Sequence, residues 1–343
     1  MTQESKPIPK IDPSGLLRLR DSIYASDLII AAITWLDFFS WLSENPSNQE
    51  IICSVFEIDR RPTDVMLTLL TSMGFIRHEG SKYYVSDLAK NYLVKESSWN
   101  LRPYFESMKE RPICKDMLQV LKTGKPASWG SKKDEAEWIV AMQKEEVAES
   151  FTAAMDSRGA YLAPAVAKRL YCSGHEALLD IAGGSGIYAC ALVAQNDHLR
   201  AAVLEKPPVD NAAKYFISKK GLADRVNVIT RDMFDELPHG FDIHLFSNVL
   251  HDWGEPAIRS LLRNSFEALP TGGVIAIHDA HINADKTGPL TVAEFSVLLM
   301  YSTEGKCYSV TELNNMLQST GFTDPRFIPT IADRSIITAK KPV

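Results

Sequence analysis

The sequence predicts an α/β protein in which a mostly parallel sheet, helices on both faces, follows a mostly helical domain with a winged-helix unit. Three observations predict it. Apolar residues recur at three- and four-residue spacing from Leu16 through Leu42 and again from Val65 to Met73, as in helices that bury one face. From Ala177 onward short apolar runs alternate with amphipathic stretches, the pattern of βαβ units. The run Leu179-Asp180-Ile181-Ala182-Gly183-Gly184-Ser185-Gly186 passes straight into a helical pattern, where glycines let the backbone turn tightly and approach a ligand closely.

In the first half, Arg61-Pro62-Thr63-Asp64 places a proline and an acid in a first turn, and Gly74 stands where a helix C′ glycine is favoured. A helix over Pro62 to Met73 follows. Phe75 to Arg77 and Tyr83 to Val85 flank the turn Glu79-Gly80-Ser81 and predict a two-stranded wing. The presumed recognition helix carries no Lys or Arg after Arg61, and phosphate neutralisation supplies most non-specific DNA affinity. The unit therefore reads as a packing and dimerisation module rather than a DNA reader. Thr123-Gly124-Lys125-Pro126 and the charged stretch Lys132 to Glu137 read as a connection, followed by helices from Trp138 to Leu170. A boundary near residue 125 divides a domain of residues 1–125 from one of residues 126–343. Strands are expected at Ala177 to Ile181, Ala201 to Glu205, Val226 to Thr230, Ile243 to Ser247, Gly273 to Ile277, Arg326 to Thr330 and Ser335 to Ala339.

Composition narrows the function classes. The 343 residues carry 37 Lys plus Arg against 43 Asp plus Glu, a formal charge of -6, so the chain as a whole has no field to attract phosphate backbones or anionic lipid. Five scattered cysteines, Cys53, Cys114, Cys172, Cys190 and Cys307, show no metal-binding spacing and suit a reducing compartment. No metal site is expected. The start lacks the apolar core of a secretory signal, and the longest nearly apolar run, Leu28 to Leu36, is far below the ~20 residues of a bilayer span. A cytoplasmic protein is expected.

Ligands of such sheets bind at the carboxyl ends of the strands. Glu205 ends the second strand, 19 residues past Gly186, where a carboxylate can accept both hydroxyls of a ribose. Asp232 follows the third strand, with Met233 beside it to pack on a flat base. Together these suit an adenosine. Gly184-Ser185-Gly186-Ile187-Tyr188-Ala189 also fits the G-x-G-x-x-A of nicotinamide enzymes, so an NAD-dependent oxidoreductase and a methyltransferase both remain open on these residues.

The series LLDIAGGSG, VLEKPPV, RDMF, SNVLHDW, EALPTGG, IHD, GPL and TEGK resembles the S-adenosylmethionine-dependent O-methyltransferases of the acetylserotonin and caffeate type, over the whole chain. The resemblance implies a Rossmann-like class I methyltransferase domain whose last strand is reversed, and a homodimer whose amino-terminal domain closes over the partner's acceptor pocket. It also implies methyl transfer from S-adenosylmethionine, leaving S-adenosylhomocysteine, to a small molecule, with no nucleic acid or membrane partner. Carried onto this chain, the glycine motif falls on Gly183, Gly184 and Gly186, with Asp180 at its strand end. The ribose acid falls on Glu205, where the usual residue is Asp, and the adenine contacts on Asp232 and Met233 with Phe234 beside them. The catalytic base matches His251 and its orienting acid Asp279, and Ser247 and Asn248 fall at the cofactor. A neutral imidazole there takes a proton from an acceptor hydroxyl while the carboxylate stabilises the imidazolium. His278 and His281 read as satisfied structural histidines.

Two further positions depart from the family. Ser247 stands where plant members have a Lys, four residues before the catalytic His, and Cys307 stands where they have a second acid, with Glu304 nearby. Acceptor-pocket candidates are Phe151, Met155, Arg158, Trp253, Phe295, Leu299, Met300 and Tyr301, with Trp99, Phe105 and Trp129 on the amino-terminal side. RDSIYASD and TEGKCYS are similar to bacterial enzymes that S-methylate 4-methylthio-2-hydroxybutyrate in dimethylsulfoniopropionate synthesis. Sulfur methylation, which needs no base, is thus the alternative to O-methylation. A carboxylate on such a substrate would be clamped by Arg18 or Arg20, Tyr24 and Arg158.

Overall fold

In a computed structural model, residues 11–127 and 142–343 are described; Trp129, Trp138 and the stretch Lys132 to Glu137 lie outside the described residues. The amino-terminal helices are α1 (Ser14–Asp21), α2 (Ala25–Thr34), α3 (Phe38–Glu44), α4 (Gln49–Phe56) and α5 (Arg60–Ser72). The hairpin β1 (Ile76–Glu79) and β2 (Lys82–Val85) follows, then α6 (Asp87–Tyr92), α7 (Arg102–Glu106) and α8 (Pro112–Thr123). After α9 (Glu145–Arg169) come β3 (Ala177–Ile181), α10 (Ile187–Gln195), β4 (Arg200–Glu205), α11 (Val209–Lys219), β5 (Val226–Thr230) and β6 (Ile243–Ser247). A 3₁₀ turn at Leu250–Asp252 leads to α12 (Glu255–Ala268), β7 (Val274–Asp279), α13 (Leu290–Ser302), α14 (Val310–Thr320), β8 (Thr323–Pro329) and β9 (Ser335–Lys340).

The described residues form two compact units, one of residues 13–127 and Ile282–Ser309, the other of residues 11–12, 142–281 and Val310–Val343. The first is helical. Its helix α5 begins at Arg60, earlier than the proline suggests, because the Asp59 carboxylate caps it by accepting the Arg61 amide at 2.9 Å. Helix α13 is buried from Val292 through Tyr301 and packs on α1, α2, α5 and α8. The segment around it, which the sequence division assigns to the sheet domain, thus packs with the helices. Arg61 fixes its end: Nη1 donates to the carbonyls of Met300, Thr303 and Gly305, and Nη2 to that of Gly124. Arg18 grips the buried Glu294 of α13 with two parallel bonds of 2.7 and 2.8 Å.

The other unit is a seven-stranded sheet of order β5-β4-β3-β6-β7-β9-β8. Its strands are parallel from β5 to β7, while β9 is antiparallel to both neighbours. This is the expected Rossmann-like sheet, reversed last strand included. Leu178, Leu245, Ala276, Val203 and Ile336 face one side of it and pack with α9 and α10 in a continuous core. The order reverses between β3 and β6, whose following strands lie on opposite sides, and this switch point opens a crevice at the carboxyl ends. β7 runs to Asp279, so that acid is the last residue of the strand rather than one following it.

Candidate active site

The glycine loop is built by close approach. A Cβ on Gly183 would lie 2.5 Å from the Asp180 carboxyl carbon, and Gly186, at φ 71°, caps α10 where a Cβ would press on Val203 and Ile217 at 3.0 Å. Asp180 is fully buried; Oδ2 accepts the Ala189 amide at 3.3 Å while Oδ1 has no hydrogen-bond partner. Glu205 reaches across from β4: Oε1 accepts the Gly184 amide at 2.9 Å and Oε2 the Lys206 amide at 3.2 Å. It therefore anchors the loop as well as facing the crevice, a role that sequence spacing did not reveal. Burial pushes both carboxyls up to about 7, against the hydrogen bonds they accept.

Past β5, the Asp232 carboxylate accepts the Phe234 amide at 3.0 Å in a tight turn and lies 3.6 Å from Lys206 Nζ. The turn sets Met233, half-buried, beside Phe234, whose ring meets Trp253 edge-on at 4.8 Å. At the end of β6, Ser247 is buried and its hydroxyl has no partner; Asn248, at φ 56°, donates from Nδ2 to the Tyr188 hydroxyl and leaves Oδ1 without one. Buried acceptor oxygens without partners are costly, and Asp180, Ser247 and Asn248 place several of them around the switch point. That donor and acceptor set fits a nucleoside carrying a cationic sulfur and an ammonium group.

His251 stands in the 3₁₀ turn after β6 and is 5% exposed. Its Nδ1 lies 2.6 Å from Asp279 Oδ1, and the same oxygen accepts the Ala280 amide at 2.8 Å. An ionised carboxylate only accepts, so Nδ1 carries the proton and donates, leaving the lone pair on Nε2. Asp252 Oδ1 lies 3.6 Å from that Nε2, a charge contact beyond hydrogen-bonding distance. Burial works against the imidazolium, but Asp279 and Asp252 outweigh it and hold the His251 pKa above the ordinary value. Burial would raise Asp279, yet the charge and hydrogen bond of His251 bring it down to about 2. The second acid near the imidazole is thus Asp252, its neighbour in sequence, which sequence reasoning passed over.

The remaining candidates divide between the units. Phe151, Met155 and Arg158 are half-buried on α9 at spacings of four and three, and Arg158 acts electrostatically on His251, Asp252 and Tyr188. In the helical unit, Phe295, Leu299 and Met300 are core residues of α13, and the Tyr301 hydroxyl donates to Asp116 at 2.9 Å with Tyr24 4.3 Å from its ring. Arg20 is exposed beside Asp21, and the Arg18 guanidinium is held by Glu294. Cys307 is buried with its amide bonded to Ser296, Glu304 and Trp99 are exposed, and Phe105 is half-buried. Among the described residues no group of His, Cys, Asp or Glu is arranged to hold a metal ion.

A reversed-strand sheet with acids and glycines at its switch point defines a Rossmann-like α/β protein whose ligand site lies at the strand ends. Residues 116–323 match the O-methyltransferase domain family, and the chain belongs to that family of S-adenosylmethionine-dependent methyltransferases. It is 27% identical over 323 residues to a 3-hydroxy-5-methyl-1-naphthoate 3-O-methyltransferase of Streptomyces sahachiroi, covering 92% of this chain and 91% of that one. Acetylserotonin O-methyltransferase of Bos taurus is 32% identical over 165 residues, 48% of this chain and 47% of its own. Among solved structures, an O-methyltransferase family 2 protein from Planctomyces limnophilus in complex with apigenin superposes with a TM-score of 0.89 at 28% identity, covering 99% of each chain. Human N-acetylserotonin methyltransferase, solved with S-adenosylmethionine, shares the fold at a TM-score of 0.62 and 21% identity, over 98% of this chain and all of its own.

Proposed function

We propose that the protein methylates a hydroxyl of a small aromatic molecule, with His251 as general base and Asp279 as the acid that orients it. The observation carrying this reading is the buried 2.6 Å contact that puts the His251 proton on Nδ1 and the lone pair on Nε2. S-Adenosylmethionine, when bound, supplies a methyl group on a positively charged sulfur. Asp180, Gly183, Gly184, Gly186, Glu205, Asp232, Met233, Phe234, Ser247 and Asn248 would hold it. Nε2 withdraws the acceptor proton, and the two carboxylates stabilise the imidazolium that results. The relatives named for hydroxyl methylation, the naphthoate enzyme among them, support an oxygen acceptor.

His251→Ala is expected to lower kcat for a hydroxylated aromatic by roughly 10²–10⁴-fold, while affinity for S-adenosylhomocysteine measured by calorimetry changes little. Thioether methylation forms a sulfonium without losing a proton, so a methylthio acid turned over equally by wild type and variant would overturn the oxygen reading. A homodimer belongs to the same proposal. Leu16 and Leu19 of α1 and Ile23 in the turn after it stand 71%, 72% and 58% exposed, an apolar stripe suited to a second copy. The five cysteines without disulfides favour a cytoplasmic setting. No single helix among the described residues is long and apolar enough to cross a membrane.

A further inference from the structure

His278 sits beside the dyad acid in sequence but on the opposite face of the sheet. Side chains alternate along a strand, so Asp279 turns to His251 while His278 shares the α9 and α10 face with Ala276 of its own strand. In register it lies next to Ser247 of β6, and its own carbonyl accepts the Asn248 amide at 2.9 Å. Its ring lies 5.1 Å from that of Tyr188, in the first turn after the glycine loop, and Asn248 Nδ2 donates to the Tyr188 hydroxyl at 3.1 Å. Four groups from two strand ends and a helix start thus converge at one place.

Apart from the bond between Asn248 and Tyr188, this convergence leaves its polar atoms unsatisfied. His278 is 0% exposed, and neither Nδ1 nor Nε2 has a hydrogen-bond partner; the same holds for Ser247 Oγ and Asn248 Oδ1. Burial, with Arg334, His281 and Arg158 nearby and only Asp279 opposing, brings the His278 pKa down to about 3, so the ring is neutral and offers one N–H and one lone pair. The Ser247 and Tyr188 hydroxyls and the imidazole N–H can donate; Asn248 Oδ1, the second imidazole nitrogen and Asp180 Oδ1 can accept. Donors and acceptors side by side, with two arginines in electrostatic range, match a group that carries both a carboxylate and an ammonium.

We propose that His278, with Tyr188, Ser247 and Asn248, receives the zwitterionic amino-acid arm of the cofactor, an inference that rests on the S-adenosylmethionine reading above. Glu205 ends β4 and Asp232 follows β5 on one side of the switch point, and His278, Ser247 and Asn248 lie across it at β6 and β7, where an arm extending from the sulfur would end. Facing away from His251, His278 is a binding residue for the arm and plays no part in removing the acceptor proton.

The test is calorimetry of S-adenosylhomocysteine and of 5′-methylthioadenosine, which keeps the nucleoside and sulfur but lacks the arm, against the full chain. His278→Leu is expected to weaken S-adenosylhomocysteine about tenfold or more, the loss of a hydrogen bond to a charged group, with methylthioadenosine affinity unchanged. His278→Gln, which keeps a donor and an acceptor, should recover most of the loss. Equal loss for both ligands, or no loss for either, would overturn the proposal. If the leucine variant does not fold, Asn248→Ala is read by the same comparison. Wild type binding both ligands equally overturns the arm assignment alone, whereas wild type binding neither overturns the cofactor reading with it.

Discussion

Under the proposed mechanism, the Asp252 carboxylate makes His251 a stronger base that stays protonated over a wider pH range. Asp279 and then Asp252, whose Oδ1 lies 3.6 Å from Nε2, keep a proton on the ring to higher pH than in an ordinary histidine, so on that mechanism the neutral base is populated only as pH climbs past the raised pKa. The expected profile of kcat/KM rises with pH, with an inflection above the ordinary ~6.5. Asp252→Asn removes one of the two charges that raise it, so the inflection should move to lower pH while Asp279 still orients the ring. An unmoved profile would show that Asp252 does not act on the base. At this scale the sequence was legible in placement: Glu205 and Asp279 end their strands and His251 stands in the turn just after β6. Asp252 was not legible as a neighbour of Nε2, because only the tight 3₁₀ turn folds adjacent residues onto one ring.

Elements were legible to the extent that burial sets their pattern. β5 and β6 run over the residues expected, since their ends coincide with the change from apolar to polar, whereas α5 starts early and β7 runs on to Asp279. The first discrepancy reflects a cap, Asp59, competing with a proline as the start signal; the second reflects a strand buried to its last polar residue, where hydropathy alone marks an end too soon. The loop between β3 and α10 carries the sharpest element-scale expectation. Gly183→Ala would drive a methyl group against the Asp180 carboxyl, where 2.5 Å separates the positions. Either the loop shifts, breaking the Gly184 amide bond to Glu205, or the acid does. Affinity for S-adenosylhomocysteine should fall at least tenfold, against a cost to stability of about 1–3 kcal/mol for overpacking; full affinity in a folded Gly183→Ala variant would show that the loop's geometry is immaterial to the ligand.

For the whole molecule, the exposed stripe of α1 and the turn after it predicts association. Sedimentation velocity at micromolar concentration is expected to give a dimer, and Leu19→Lys, which sets a charge in the middle of the stripe, to shift the distribution toward monomer; a wild-type monomer would remove the dimer proposal. The change in hydropathy period near Ala177 marks where the sheet begins, but the unit that α13 joins was not legible, since that helix is as apolar as any core helix and its sequence does not say which core it joins.

That helix has a practical consequence. Its ten consecutive buried residues, Val292 through Tyr301, are covered by α1, α2, α5 and α8, all of them encoded before residue 124. A gene cut at residue 126 to liberate the sheet-bearing half would still translate this hydrophobic rod and deprive it of its sheath. Such a fragment is expected to be insoluble, and the catalytic half of this enzyme cannot be had separately by trimming one end.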